Sequence, residues 1–166
     1  MNEPLRVLLV EDSPDDAELL LVELRCGGFA PEFERVETAE AMQAALARQT
    51  WDIVLSDHGM PHFSAPAALK TLRQSGHDLP FIVVSGTIGE EAAVAMMKAG
   101  AHDYLLKDNL QRLVPVVRRE LTEAEGRRWH MQVQEALQQE QALFTSLAGA
   151  IPDHIYFKDP QSRFVR

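Results

Sequence analysis

Short apolar runs alternate with helical segments along the first two thirds of the chain, and this alternation limits the folds open to it. The strand-like runs are LRVLLV (5–10), FERV (33–36), DIVLSD (52–57), PFIVVS (80–85) and HDYLLK (102–107). The first, third and fourth are almost continuously apolar, which is typical of strands covered on both faces. Five strands separated by helices indicate an α/β fold with a doubly wound parallel sheet and right-handed crossovers.

The segments between the strands carry helix signals. They are PDDAELLLVELRCGG, TAEAMQAALARQ, SAPAALKTLRQSG and GEEAAVAMMKAG. The first begins with Pro14 and stops at Gly27-Gly28, the expected order of a proline at the start and a glycine at the end of a helix. The last two stop at Gly76 and Gly100. These signals predict one helix in each crossover.

A fifth helix is predicted from about 109 to 147, which is longer than a compact domain requires. Apolar residues follow a 3-4 spacing through 110–124 and resume it in a shifted register over 133–147, and Gly126 is the one helix breaker between these two stretches. Exposed helices of this kind commonly connect domains as coiled coils. We therefore expect 123–147 to be a helical connector that pairs in a homodimer. A hairpin folded back on the first domain is the alternative.

The composition changes after Gly149. The final segment, AIPDHIYFKDPQSRFVR (150–166), has two prolines and aromatic residues that alternate with polar ones. This pattern is typical of an antiparallel strand and turn. We expect 148–166 to be the start of a second domain that is cut off.

The charge and composition of the chain narrow the range of binding partners that we expect for it. The 166 residues include 25 acidic and 16 basic ones, giving a net charge of −9, which disfavours nucleic-acid binding. The single cysteine, Cys26, excludes an internal disulfide, and its place before Gly27-Gly28 predicts a half-buried residue near a helix end. The sequence has neither an apolar run of membrane-spanning length nor a signal-peptide pattern. We expect a cytoplasmic protein with no membrane or nucleic-acid partner.

Polar side chains stand at the carboxyl ends of four of the predicted strands or directly after them. They are Glu11-Asp12, Asp57, Ser85 and Lys107. Asp12 alone could cap the first helix, and Asp57 alone could start a turn. Because the carboxyl ends of parallel strands meet at one edge of a sheet, all of these residues together favour a shared site.

The residue types at this edge suit phosphoryl chemistry. Neighbouring carboxylates repel each other unless a hard cation joins them, and oxygen ligands suit Mg²⁺. Asp57 could then act as a carboxylate nucleophile. Lys107 could neutralise one phosphoryl oxygen, and the hydroxyl of Ser85 could bond another.

These residues carry a resemblance to a known family. The set of Glu11-Asp12, Asp57 with Met60-Pro61, Ser85-Gly86, Tyr104 and Lys107 resembles the receiver domain of two-component response regulators over about residues 3 to 122. The resemblance implies a receiver domain at 1–122 with a flavodoxin-like fold and strand order 2-1-3-4-5.

The resemblance also implies the role of each residue. Asp57 would accept a phosphoryl group from a histidine kinase or histidine phosphotransfer protein. Glu11, Asp12, Asp57 and the backbone carbonyl of Gly59 would hold Mg²⁺. Ser85 and Tyr104 would form a switch pair, and Lys107 would bind the phosphate.

The sequence departs from the family pattern near two of these residues. Lys107 precedes Asp108, whereas the family lysine is usually followed by a proline through a cis bond, so we expect a trans peptide here. Gly59 lacks a side chain, which predicts an open site and a short-lived phosphate. His58 and His62 are not expected to be ligands, because Mg²⁺ prefers oxygen.

The final segment suggests a longer parent protein. AIPDHIYFKD resembles the first strand and turn of a PAS domain, which implies an output such as a histidine kinase or diguanylate cyclase further along. A degenerate receiver that serves only as a dimerisation scaffold is one alternative function. A magnesium-dependent phosphatase is another, although Gly59 stands where such enzymes carry a second aspartate.

Overall fold

The structure is a computed structural model that describes residues 2–87, 89–150, 157–158 and 164–165. Strands and helices alternate along the chain. They are β1 (Glu3–Val10), α1 (Pro14–Cys26), β2 (Phe29–Val36), α2 (Ala39–Arg48), β3 (Ile53–Asp57), α3 (Ala65–Ser75), β4 (Phe81–Ser85), α4 (Glu90–Ala99), β5 (Asp103–Leu106), α5 (Leu113–Ala150), β6 (Phe157–Lys158) and β7 (Phe164–Val165). A 3₁₀ turn at Lys107–Arg112 joins β5 to α5.

The first five strands form one parallel sheet in the order β2-β1-β3-β4-β5. This is the predicted flavodoxin-like topology, and it is confirmed. The register aligns the carboxyl ends: Val10 of β1 pairs with both Val36 and Ser56, and Asp57 pairs with Val84. The residues that follow these strands are therefore collected at one edge of the sheet.

Two apolar layers cover the faces of the sheet. Leu8 and Val10 of β1 face a cluster formed with α2 and α3, whereas Leu5, Val7 and Leu9 face a cluster formed with α1 and α5. All residues of β3 and β4 are buried, as their continuous apolar character predicts. Each fully buried Leu or Val side chain stabilises the fold by roughly 1.5–3 kcal/mol, so these central strands hold the site edge rigidly.

The segment bounds differ from the predictions at β2 and α5. β2 begins at Phe29, four residues before the predicted start, because Phe29 is fully buried and the strand pairs along the whole of β1. α5 begins at Leu113 rather than near 109, because the non-helical backbone of Asn109 (φ −132°, ψ 52°) lies in the preceding 3₁₀ turn.

Cys26 is exposed, so the prediction of a half-buried cysteine was wrong. Leu24 is fully buried on the core side of α1. A residue two positions further along an α-helix is rotated by about 200°, which turns Cys26 toward solvent.

α5 is one uninterrupted helix, as the prediction of an extended C-terminal helix requires. Ala124 is buried, whereas the residues of 126–146 are exposed apart from the half-buried Arg127. Residues 1–125 and 126–166 form separate compact units. The alternative of a hairpin does not occur within 113–150, because Gly126 lies inside the helix without breaking it.

In the final segment, β6 and β7 form an antiparallel pair, with Phe157 opposite Val165 and Lys158 opposite Phe164. The other residues of 151–166, and with them the predicted PAS-like start, lie outside the described residues. Among the described helices, none is long and apolar enough to cross a membrane.

Candidate functional site

The structure brings three of the predicted acids together at the carboxyl edge of the sheet. Glu11 directly follows β1, Asp12 is the next residue, and Asp57 is the last residue of β3. Each offers a carboxylate oxygen, and these atoms lie within 4.8 Å of one another. Glu11 and Asp57 are buried, whereas Asp12 is exposed. The set therefore presents one solvent-facing carboxylate and two that the fold holds in place.

Both carboxylate oxygens of Glu11 accept a hydrogen bond. The backbone N–H of Ser13 donates to Oε1 at 3.0 Å, and Nζ of Lys107 donates to Oε2 at 3.0 Å. Burial raises the pKa of Glu11 above its ordinary value, and the bonds from Lys107 and Ser13 offset this only in part. Glu11 therefore holds a proton more readily than an exposed glutamate does.

Lys107 is the cation at the centre of the site. It directly follows β5, and its Nζ lies 3.0 Å from Glu11, 2.8 Å from Asp57 and 2.6 Å from Asp16. Burial acts to lower the pKa of Lys107, but the hydrogen bonds to Asp16, Asp57 and Glu11 outweigh it and raise that pKa well above its ordinary value. Lys107 is therefore a permanent cation that offsets the repulsion among the acids.

The carboxylate of Asp57 is oriented by its two neighbours. Oδ1 pairs with Lys107 at 2.8 Å, and Oδ2 accepts a hydrogen bond from the backbone N–H of Gly59 at 2.8 Å. Gly59 is exposed, and a Cβ built there would lie 3.6 Å from Oδ2 of Asp57. A side chain at position 59 would thus begin in van der Waals contact with the carboxylate of Asp57, and glycine leaves that space open.

Ser85 and Tyr104 lie on the strands beside this cluster. Ser85 ends β4 and is buried; its hydroxyl donates to the carbonyl of Thr87 at 3.2 Å and accepts from the N–H of Thr87 at 3.3 Å. Tyr104 of β5 is half-buried, and its ring meets that of His58 edge to face with centroids 5.8 Å apart. In this state the Ser85 hydroxyl is engaged with its own loop.

The histidines near the site do not join the acids in one cluster of the described residues. Nδ1 of His58 is buried and has no hydrogen-bond partner among those residues, and His62 is exposed. The described part of the chain contains no cis peptide bond, so Lys107 and Asp108 are joined in trans as predicted.

Two further residues of the site were not predicted from the sequence. Arg35 of β2 donates from Nη1 to the carbonyls of Glu11 at 2.9 Å and Asp12 at 3.1 Å, and so supports the turn that carries both acids. Asp16, in the first turn of α1, is the acid nearest to Lys107. The only sequence signal for Asp16 is its place three residues after the capping serine, Ser13.

The donor set fits a hard divalent cation. Three carboxylates converge within the span of one ion, no nitrogen or sulfur atom belongs to the cluster, and oxygen ligands are those that Mg²⁺ prefers. Lys107 offsets part of the acid charge without being able to coordinate a metal. The site can therefore hold a cation beside an Asp57 whose carboxylate is fixed by Lys107 and Gly59.

The chain resembles known proteins over the part that forms this site. Residues 7–118 match the response regulator receiver domain family. The response regulator protein FleR from Pseudomonas aeruginosa is 37% identical over 102 residues, covering 61% of this chain and 21% of FleR. The transcriptional regulatory protein PrrA from Mycobacterium tuberculosis is 34% identical over 102 residues, covering 61% of this chain and 43% of PrrA. The chain thus spans less than half the length of either regulator.

A solved structure shows the same architecture. The crystal structure of a signal receiver domain from Vibrio parahaemolyticus matches with a TM-score of 0.66 and 26% identity, covering 76% of this chain and 96% of that domain. The sheet order, the acid cluster and the family match over residues 7–118 all agree. The chain therefore belongs to the response regulator receiver domain family.

Proposed function

We propose that this chain is a phosphorylation-dependent switch of a two-component phosphorelay, in which Asp57 accepts a phosphoryl group from a histidine kinase or histidine phosphotransfer protein. The observation that supports this most directly is the convergence of Glu11, Asp12, Asp57 and Lys107 at one sheet edge. Carboxylate nucleophiles and fixed cations are the parts that phosphoryl transfer to a protein requires.

Each residue has a role in this proposal. An oxygen of Asp57 attacks phosphorus, and the bond from phosphorus to the donor breaks with its electron pair leaving on the donor. Lys107 neutralises charge on the transferred oxygens. Glu11, Asp12, Asp57 and the backbone carbonyl of Gly59 are the proposed ligands of Mg²⁺, which would shield the negative charge of the incoming group.

Ser85 and Tyr104 are the proposed switch pair. The hydroxyl of Ser85 would exchange its bonds to Thr87 for a phosphoryl oxygen, and the ring of Tyr104 would then move inward. A phosphoryl group adds nearly two negative charges and strong acceptors. It would therefore shift the populations of the two arrangements of this pair.

The conformational change in the receiver domain would be transmitted to a downstream module through α5. We propose a receiver domain at 1–122, a connector at 123–147 that pairs in a homodimer, and the start of a PAS-like module at 148–166. The exposed apolar residues of α5 support helix pairing. They are Trp129, Met131, Val133, Leu137, Leu143 and Phe144. The proposed parent is a cytoplasmic hybrid histidine kinase or diguanylate cyclase. The net charge of −9 supports the proposal that this chain itself does not contact nucleic acid.

Incubation with Mg²⁺ and acetyl phosphate tests the chemistry. We expect native mass spectrometry to show one added phosphate on the wild type and none on Asp57→Asn. Asp15→Asn is the matched control, because Asp15 is an exposed acid of the same protein outside the cluster, and it should gain phosphate as the wild type does. A wild type that stays unmodified would leave the dimerisation scaffold as the better description, and turnover of a phosphomonoester that depends on Asp57 would favour the phosphatase.

A further inference from the structure

Asp16 makes the shortest of the three contacts to Lys107. Its Oδ2 lies 2.6 Å from Nζ, against 2.8 Å for Asp57 and 3.0 Å for Glu11. Its side chain is 35% exposed, so it reaches the site from the solvent side while Glu11 and Asp57 reach it from the sheet. A side chain on α1 thus fixes a residue that follows β5, 91 positions along the chain.

The first turn of α1 explains why this carboxylate is available. Ser13 is the N-cap, and its hydroxyl accepts from the backbone N–H of Asp16 at 3.2 Å. In a capping box, a Glu or Gln at this position reaches back to the backbone N–H of the cap residue. Here the N–H of Ser13 donates to Glu11 instead, at 3.0 Å. Asp16 is therefore released from helix capping and directed to Lys107.

Asp16 also differs from the other two partners of Lys107 because it is not one of the candidate cation ligands. Glu11 and Asp57 belong to the carboxylate cluster that fits a cation, and Asp16 does not. A cation at that cluster would compete with Lys107 for both of those acids. An ammonium group has three donors, so the bond to Asp16 can persist while another donor faces the reacting group.

We infer that Asp16 is a positioning residue, which holds the ammonium of Lys107 beside Asp57 while the phosphoryl group is transferred. The inference rests on the proposed function of Asp57 and Lys107. Asp16 itself is not a member of the cation cluster, and no contact of Asp16 with the phosphoryl group is part of the inference. It acts by keeping Nζ of Lys107 at its position 2.8 Å from Asp57.

The test compares two neighbouring acids of the same helical turn. In Asp16→Asn, the maximal rate of phosphorylation of Asp57 by acetyl phosphate should fall about ten-fold, since misplacement of a charge-stabilising group is costly. The Mg²⁺ affinity, measured by titration calorimetry, should stay within about two-fold because Asp16 is outside the cluster. Asp16→Glu should recover part of the rate. Asp15→Asn removes the same charge from the same helix start and should keep the wild-type rate.

An Asp16→Asn variant as fast as Asp15→Asn, or faster than the wild type, would overturn the inference. A second measurement works without phosphorylation: the ¹⁵Nζ resonance of Lys107. We expect this resonance to shift or broaden in Asp16→Asn and to stay in place in Asp15→Asn. An unchanged resonance would overturn the inference even if Asp57 is phosphorylated, whereas a wild type that gains no phosphate while the resonance responds would contradict only the proposed function.

Discussion

A buried carboxylate is costly unless the fold gives it partners, and Glu11 illustrates how these are supplied. Only 2% of Glu11 is exposed. Its two oxygens are bonded by groups that arrive from different parts of the chain, Ser13 beside it and Lys107 after β5. These bonds reduce the penalty of burial without removing it, because the pKa of Glu11 remains raised.

The raised pKa of Glu11 predicts a pH dependence with a definite sign. The folded protein keeps a proton on Glu11 at pH values where the unfolded chain, with the ordinary pKa of 4.5, has lost it. The free energy of unfolding contributed by this residue therefore falls as pH rises from 4.5 through the raised pKa. Glu11→Gln cannot ionise, so the wild type should lose stability relative to this variant across that window.

The measurement is urea unfolding of both proteins from about pH 4 to 8 without Mg²⁺. Glu125→Gln serves as the control, because Glu125 is exposed and should show no such trend. The prediction would be contradicted if the difference in free energy of unfolding between wild type and Glu11→Gln did not change with pH, or if the wild type gained stability relative to Glu11→Gln as pH rises.

The residues of the site were predictable to different degrees. Asp57 ends one apolar strand and Lys107 directly follows another, and the rule that parallel strands end at one edge is enough to bring them together. The contact of Asp16 with Lys107 depends on where the first turn of α1 lies against the 3₁₀ turn after β5, which no local pattern encodes. Arg35 was missed for a similar reason, since it reaches the Glu11-Asp12 turn from a neighbouring strand.

At the scale of elements, the close approach of the end of α1 to the start of α5 depends on one glycine. A Cβ built on Gly27 would lie 2.3 Å from one methyl carbon of Val114 and 2.6 Å from the other. The backbone of Gly27 has φ −76°, which any residue adopts. The requirement for glycine here is therefore the space beside Val114 and not the backbone conformation.

Two glycine substitutions should have opposite effects on stability. Gly27→Ala should lower the free energy of unfolding by about 1–3 kcal/mol because of overpacking against Val114. Gly126→Ala should raise it by up to about 1 kcal/mol, because Gly126 lies inside α5 with nothing within 4 Å of its added Cβ. Urea unfolding gives both values.

A double variant separates steric conflict from other causes. Val114→Ala in the Gly27→Ala background should recover much of the loss, as expected when two residues in contact are coupled. If the two substitutions lowered the free energy of unfolding independently and additively, the steric conflict between positions 27 and 114 would be contradicted.

The sequence predicted the type of these elements better than their bounds. The late predicted start of β2 reflects AP in FAPEF, a weak strand signal that is overridden once Phe29 is buried and the segment pairs with β1. The early predicted start of α5 reflects an apolar spacing that already begins at Leu110. The backbone of Asn109 is not helical there. Hydrophobic periodicity does not indicate a backbone conformation of this kind.

At the scale of the whole molecule, α5 extends well beyond Ala124, its last buried residue among those whose burial is described up to 146. Val133, Leu137 and Phe144 are 47%, 52% and 57% exposed. Their spacing of four and then seven residues places them on one face, which is typical of a helix that pairs with another. Glu135 lies between the first two and, at two residues' distance, on the opposite side of the helix. This arrangement allows a position-specific test of pairing.

Cysteines at position 133 or 137 should cross-link two chains, whereas a cysteine at position 135 should not. The exposed Cys26 is first replaced by serine so that it cannot form the cross-link itself. Non-reducing electrophoresis after mild oxidation measures the dimer. Equal cross-linking at all three positions, or a monomer at high concentration, would contradict helix pairing along this face.

The eight-residue β2 has a consequence for how the molecule behaves at high concentration. It is an outer strand of the sheet, paired only with β1 among the described strands, so a second chain could in principle extend the sheet there. Pro31 stands within this strand and brings no N–H to share, and Glu32, Glu34 and Arg35 add charges along it. Pro31, which delayed the predicted start of β2, and the charges that follow it thus protect the protein against aggregation by edge-to-edge strand addition.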